Sequence, residues 1–220
     1  MYTLYTGKYT RGLMVEMVMA EGGIEYRCED VDITRGEERS DAFLAINPAG
    51  WVPVLRCPNG QVLHETPAIN LYLCERHAIA SLAPPPGDPD RGAFLSGLFY
   101  ISDEIEPALK RYWYPHYFGD GKRGAPDIQA SAIESVLRGF AIIDGRLGDH
   151  GPCHLGERFS LPDLMTAYWA TSFATTSKLE ASLESMPRVR RCIEIARARP
   201  KLAPLFARLD AWNHEFDGID

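Results

Sequence analysis

Apolar and β-branched positions first gather in two short runs, residues 2 to 6 and 26 to 33, rich in Tyr, Val, Ile and Thr. Between them Leu13, Met14, Met17 and Val18 recur at helical spacing over residues 11 to 22, and Gly22-Gly23 makes a suitable C-terminal stop. Strand, helix, strand is the predicted opening, with a right-handed crossover. A short helix is expected at 41 to 45, followed by strands at 53 to 56 and 61 to 63 around the turn Pro58-Asn59-Gly60, and then a helix from 67 to 77. The first half therefore reads β-α-β, then β-β-α.

Ala83-Pro-Pro-Pro-Gly-Asp-Pro-Asp90 supports neither a helix interior nor a central strand. It is read as a linker over 83–90, dividing an α/β domain at 1–82 from an all-helical domain at 91–220. In the second part apolar residues recur at helical spacing over 92 to 114, 127 to 147, 161 to 176, 187 to 198 and 201 to 213. Repeats are absent.

Composition narrows the function. The 220 residues are 45% hydrophobic and 24% charged, as in ordinary globular chains, and the formal charge of −7 argues against a nucleic-acid partner. The one dense group of arginines, at 188, 190, 191, 197 and 199, is read as a solvated helix face. No leader-like segment and no membrane-length apolar run is seen, so a cytoplasmic protein without membrane association is expected. Five cysteines lack CxxC or Cys/His metal spacing, so neither a disulfide framework, nor a CxxC redox activity, nor a metal site is expected.

Two segments suggest a peptide-like ligand. In Asn47-Pro-Ala-Gly-Trp-Val-Pro-Val-Leu55, Pro53 follows Val52 at the start of a strand. That is either a plain turn before an edge strand or a cis bond turning the Val52 backbone outward to pair with an extended peptide. In His64-Glu65-Thr66-Pro67-Ala-Ile-Asn-Leu-Tyr-Leu73, Thr66 is expected as an N-cap with Pro67 at the first helical position. Free N–H groups at such a start favour a carboxylate, and Glu65 can accept from an ammonium beside it. In the second half Ser160 and Asp163 form an N-terminal capping box, expected to serve folding rather than catalysis.

Taken together, Asn-Pro-x-Gly-x-Val-Pro-x-Leu, Glu-Thr-x-Ala-Ile-x-x-Tyr-Leu and the Ser160 box resemble the cytosolic glutathione transferases over nearly the whole chain. That family usually carries Glu-Ser where Glu65-Thr66 stand. The resemblance implies a thioredoxin-like N-terminal domain, a cis Pro53, pairing of Val52 with the cysteinyl residue of glutathione, and γ-glutamyl recognition by Glu65 and Thr66. It implies a homodimer, and glutathione as co-substrate.

Activating the thiol means lowering a pKa near ~8.5 by about two units, roughly 2.7 kcal/mol of preferential thiolate stabilisation. Matching this chain to serine-type members puts the hydroxyl donor at Thr10, with Tyr9 second; Tyr5 decides little. No cysteine lies in that loop, which disfavours a thiol-exchange enzyme. Trp51 stands where many members carry Lys or Gln, and Glu38 near a position often basic, so Arg11, Lys8 or Arg39 would have to compensate. The resemblance places the aromatic group Arg111-Tyr-Trp-Tyr-Pro-His-Tyr-Phe118 beside the thiol. Packing in the helical core is the other meaning of such an aromatic group; with that placement, Tyr100, Asp103, Trp113, Tyr114 and Tyr117 are the candidates for a pocket that takes an aromatic, hydrophobic electrophile. The alternatives are a glutathione-dependent reductase or isomerase on the same site, or a binding protein that has lost turnover.

Overall fold

The computed structural model describes residues 1–119 and 121–216, with side chains throughout these except at 121–123, 149 and 150. Residues 120 and 217–220 of the expected helical part lie outside that description. The chain opens with β1 (Tyr2–Thr6), α1 (Gly12–Gly22) and β2 (Tyr26–Asp30), continues through the short α2 (Asp41–Leu44), and returns as β3 (Val54–Arg56), β4 (Val62–Leu63) and α3 (Thr66–Arg76). The four strands lie in the order β2-β1-β3-β4, with β1 and β2 parallel and the other neighbours antiparallel. The element order is the one expected from the hydrophobic pattern, and the arrangement is the thioredoxin-like one that the resemblance implies.

β2 stops three residues earlier than its apolar run. The Val31 N–H still bonds to the Thr6 carbonyl at 2.8 Å. The Asp32 carboxylate then accepts from the Thr34 N–H at 2.9 Å and hydroxyl at 2.6 Å, a side-chain turn that ends the ladder.

The remainder is helical: α4 (Arg91–Tyr100), a π-helical turn (Ile101–Ile105), α5 (Glu106–Trp113), α6 (Gly121–His150), α7 (Leu161–Ser177), α8 (Pro187–Arg197) and α9 (Ala203–Glu215). The first of these was expected as one helix, and α4, the π turn and α5 do follow one another without a break. A π turn inserts one extra residue, and such insertions recur at functional sites. Here Ser102 and Asp103 of the turn both line one cavity.

Two helices are buried on every side rather than along one stripe. In α1 every residue from Gly12 to Met19 is buried, and in α7 every residue from Leu161 to Ala174. Contacts of α1 with α3, α7 and α9 explain this, since α1 lies between the sheet layer and the helices. Phe94, Phe140, Phe173 and Phe206 fill the helical interior, which is continuous with Leu4, Leu13, Met14 and Leu73.

The start of α7 is tied by Asp163. Its carboxylate accepts from the Ser160 N–H (2.8 Å), the Ser160 hydroxyl (2.7 Å) and the His154 N–H (2.7 Å). Ser160 and Asp163 thus form the reciprocal capping box, and both side chains are buried. The His154 ring contacts the Thr166 hydroxyl at 3.0 Å, and burial pushes the imidazole down to about 4.

That depression has a definite sign. The unfolded histidine, near 6.5, takes up its proton before the folded one does, so stability is lost as pH falls from about 6.5 toward 4. The full difference is about 3 kcal/mol. His154→Gln should reduce the loss of denaturation midpoint between pH 7 and pH 4.5 relative to the parent; equal losses in both proteins would refute this assignment.

Candidate active site

A cavity of about 800 Å³ lies between the sheet layer and the helices. The β1–α1 loop brings Tyr9, Thr10 and Arg11 to it, the loop before β3 brings Trp51 and Val52, and the start of α3 brings Glu65, Pro67 and Ala68. Opposite stand Asp103 of the π turn, Glu106, Lys110 and Trp113 of α5, Tyr114, Tyr117 and Phe118 beyond it, Tyr168 and Trp169 of α7, and Trp212 of α9 with Phe216 after it.

Local chemistry shapes the first wall. Asn47 donates from Nδ2 to the Trp51 carbonyl at 2.7 Å and accepts from the Ala49 N–H at 3.2 Å, folding the loop on itself. Gly50 closes that loop at φ 64°, where a Cβ would also press on the Glu38 carbonyl. The Val52–Pro53 peptide bond is cis. Val52 faces the cavity, and Pro53 is buried directly behind it.

The start of α3 differs by one residue from expectation. Glu65, at φ 66° and ψ 116°, occupies the cap position, and Thr66 is the first helical residue with Pro67 second. An acidic residue held at positive φ is a sparsely populated, costly conformation of the kind that gathers at binding sites. Thr66 is fully buried and its hydroxyl has no partner among the described residues. It does not itself line the cavity surface, whereas Glu65 does.

Thr10 lines the cavity and is also bonded within its own loop. Its hydroxyl proton has acceptors in the Gly7 carbonyl at 2.7 Å and the Thr6 hydroxyl at 2.8 Å, while its oxygen is approached by the Gly7 and Gly12 N–H groups. A hydroxyl has one proton, for which these acceptors compete with the cavity. Gly12 is required here because a Cβ would run into the Thr6 side chain. Tyr9, at φ 63°, turns its ring against Trp212 (6.3 Å) and Phe216 (5.4 Å). Tyr5 packs between Phe43 and Arg56, away from the cavity.

The helical wall carries the polar centre of the site. Glu106 is 8% exposed; its Oε2 accepts from the Arg11 guanidinium at 2.7 Å and its Oε1 from the Trp169 indole at 3.0 Å. Burial pushes its carboxyl up from the usual range, against the opposing pull of Arg11. Tyr168 reaches from α7 to the Thr10 carbonyl at 3.2 Å, so the helical layer pins the β1–α1 loop at two points.

Trp51 carries cations on its ring. Lys110 Nζ sits 3.5 Å and the Arg39 guanidinium 5.0 Å from its centroid. Burial and then the nearby Arg11 lower the Lys110 pKa. Of the compensating cations considered, Arg39 is therefore beside Trp51, Arg11 is bound to Glu106, and Lys8 is paired with Glu215.

Asp103, Trp113, Tyr114 and Tyr117 line the cavity as expected, but Tyr100 does not. Its ring lies under Arg146 of α6, at 4.4 Å. The cavity face runs through 99, 102, 103, 106, 107, 110 and 113, and Tyr100 lies off it, with Phe99 lining the cavity instead. That periodicity was available in the sequence: a helical face joining Asp103 to Trp113 must include Glu106 and Lys110, which escaped notice. Trp169, Tyr168 and Phe216 carried no such signal, because distant segments bring them in.

Burial pushes the Cys74 and Cys153 thiols up to about 12 and Cys192 well above its usual range, so these three are poor nucleophiles. Among the described residues no group of three or more His, Cys, Asp and Glu could hold a metal, and no helix is long and apolar enough to cross a membrane.

The glutathione S-transferase N-terminal domain model matches residues 12–76. A maleylacetoacetate isomerase of Pseudomonas aeruginosa is 30% identical over 210 residues, covering 91% of this chain and 92% of the relative. Glutathione S-transferase 3 of Zea mays is 38% identical over 193 residues, 84% of each chain. The chain belongs to the glutathione transferase family. Among solved structures of this family, a glutathione transferase homolog from Sulfitobacter with bound glutathione superposes with a TM-score of 0.79 at 25% identity, covering 94% of this chain and 98% of that one. Within this glutathione transferase chain, the match over 12–76 includes Val52, Pro53, Glu65 and Thr66, while the full-length relatives extend the likeness through the helical layer.

Proposed function

We propose that this chain binds glutathione in the cavity and sets its thiol against a hydrophobic, aromatic electrophile. One observation carries this: a single cavity joins the Val52–Glu65 wall to an aromatic wall of Trp113, Tyr114, Tyr117 and Phe118. Val52 pairs through its backbone with the cysteinyl residue, as in strand addition. Glu65 accepts from the γ-glutamyl ammonium, the N-terminal end of α3 draws its carboxylate, and Lys110 and Arg39 on Trp51 attract the glycyl carboxylate.

The electrophile stacks among the aromatic rings, held within reach of the sulfur. The thiol loses its proton to water, a sulfur–carbon bond forms, and a leaving group departs or a double bond is saturated. The working protein is a homodimer in the cytoplasm. Calorimetric titration with glutathione, then glutathione consumption with 1-chloro-2,4-dinitrobenzene, tests the reading. Saturable binding with turnover above the uncatalysed rate is expected; absence of binding at millimolar glutathione removes it, and binding without thiol activation leaves a non-catalytic binding protein.

The relationship to a maleylacetoacetate isomerase favours a second reading, in which the thiol adds to a double bond and leaves again. Conversion of maleylacetoacetate with no net loss of glutathione would select it.

A further inference from the structure

We propose that Arg11, and not the Thr10 hydroxyl, stabilises the thiolate, and that buried Glu106, fixed by Trp169, holds Arg11 in place to do so. The assignment rests on glutathione occupying the cavity as proposed above.

Four hydroxyls lie on or near the β1–α1 loop, and those of Thr6 and Thr10 bond to each other. Thr10 has its one proton directed to Gly7 or Thr6. Tyr9 packs on Trp212 and Phe216, and Tyr5 does not reach the cavity. Arg11 does reach it, from the residue preceding α1, where the positive end of the helix dipole adds to its charge. A guanidinium stays protonated and carries five donors; among the described residues one of them is bonded, to Glu106. The side chain is 28% exposed, toward the cavity, so the remaining donors are open to a ligand.

Glu106 cannot serve the substrate directly, since its two carboxylate oxygens are taken by Trp169 and Arg11. Burying a carboxylate is costly unless it is paired, and a pair whose role were only structural could sit at the surface at less cost. This one is built across the junction of the two layers. With the Tyr168 bond to the Thr10 carbonyl, it fixes where the Arg11 guanidinium sits before any ligand enters. Arg11 is thus a catalytic residue and Glu106 a positioning residue.

The thiolate absorbance of bound glutathione, titrated from pH 5 to 9, tests both roles. Arg11→Gln should raise the bound thiol's pKa by about one unit or more, and Arg11→Lys should keep most of the parent's depression. Glu106→Gln keeps an oxygen for Arg11 and should not raise the pKa, whereas Glu106→Ala releases the guanidinium and should raise it toward the Arg11→Gln curve. Loss of a nearby negative charge alone would instead lower it. A Glu106→Ala curve that falls or stays put removes Glu106 from the assignment. If Arg11→Gln titrates like a depressed parent, Arg11 is not the stabilising group. If both Arg11 variants lose glutathione binding at pH 6, where the thiol is protonated, Arg11 is a binding residue and the proposal falls. A parent whose bound thiol titrates like free glutathione removes the transferase reading itself, a separate failure.

Discussion

Replacing Asp163 by alanine is expected to destabilise the protein by about 3–5 kcal/mol, the largest effect of any single polar substitution considered. The carboxylate is fully buried and is the acceptor for two backbone N–H groups, at His154 and Ser160, and for the Ser160 hydroxyl. Removing it strands the Ser160 N–H and hydroxyl at the start of α7, the His154 N–H in the preceding loop and the Cys192 thiol. Ser160→Ala, which leaves the carboxylate in place, should cost about 1–2 kcal/mol as an ordinary cap loss. Urea denaturation of the three proteins measures the order. An Asp163→Ala variant no less stable than Ser160→Ala would show that the box is not the anchor of α7. Because burial pushes the Asp163 carboxyl up to about 6, its own linkage favours the fold at low pH and is lost as pH rises through 6, opposite in sign to that of His154.

Glu65→Gln is expected to weaken glutathione binding by about 1–3 kcal/mol, the cost of losing a hydrogen bond between charged groups. Glutamine keeps the shape and the φ 66° backbone of the cap position but cannot balance an ammonium. The control is glutaryl-cysteinyl-glycine, which lacks that ammonium: the parent should bind it far less well than glutathione, and Glu65→Gln should bind the two alike. Calorimetry on four combinations gives the coupling directly. If the variant still prefers glutathione by the parent's ratio, the γ-glutamyl amine is held elsewhere and the orientation of the ligand must be reversed.

Element types were legible in the sequence because they depend on neighbours. Leu13, Met14, Met17 and Val18 recur at a helix's period, Asn59-Gly60 marks a hairpin, and the linker prolines forbid regular structure, so strands and helices came out in the right order. The Val-Pro and Glu-Thr segments were legible for the same reason, since a loop, a proline and a helix start are local objects. Boundaries shifted where a long-range or side-chain bond intervened. Asp32 ended β2 early, and the α3 cap moved from Thr66 to Glu65 because the chain takes a positive φ there.

What the sequence by itself determined is thus the order of elements, the cap and turn residues, the absence of metal and CxxC spacing, and the two segments facing a peptide-like ligand. Only the tertiary structure decided where hydroxyl protons and charges go. Thr10 is bound to Gly7 and Thr6, Arg11 meets a carboxylate 95 residues away, and Lys110 rests on Trp51 across the layer junction. The physical reason is that periodicity reports which face a residue occupies, whereas a hydrogen bond or an ion pair depends on distances of a few ångströms. Those distances between remote segments are fixed when the sheet and helical layers pack on α1 and α7.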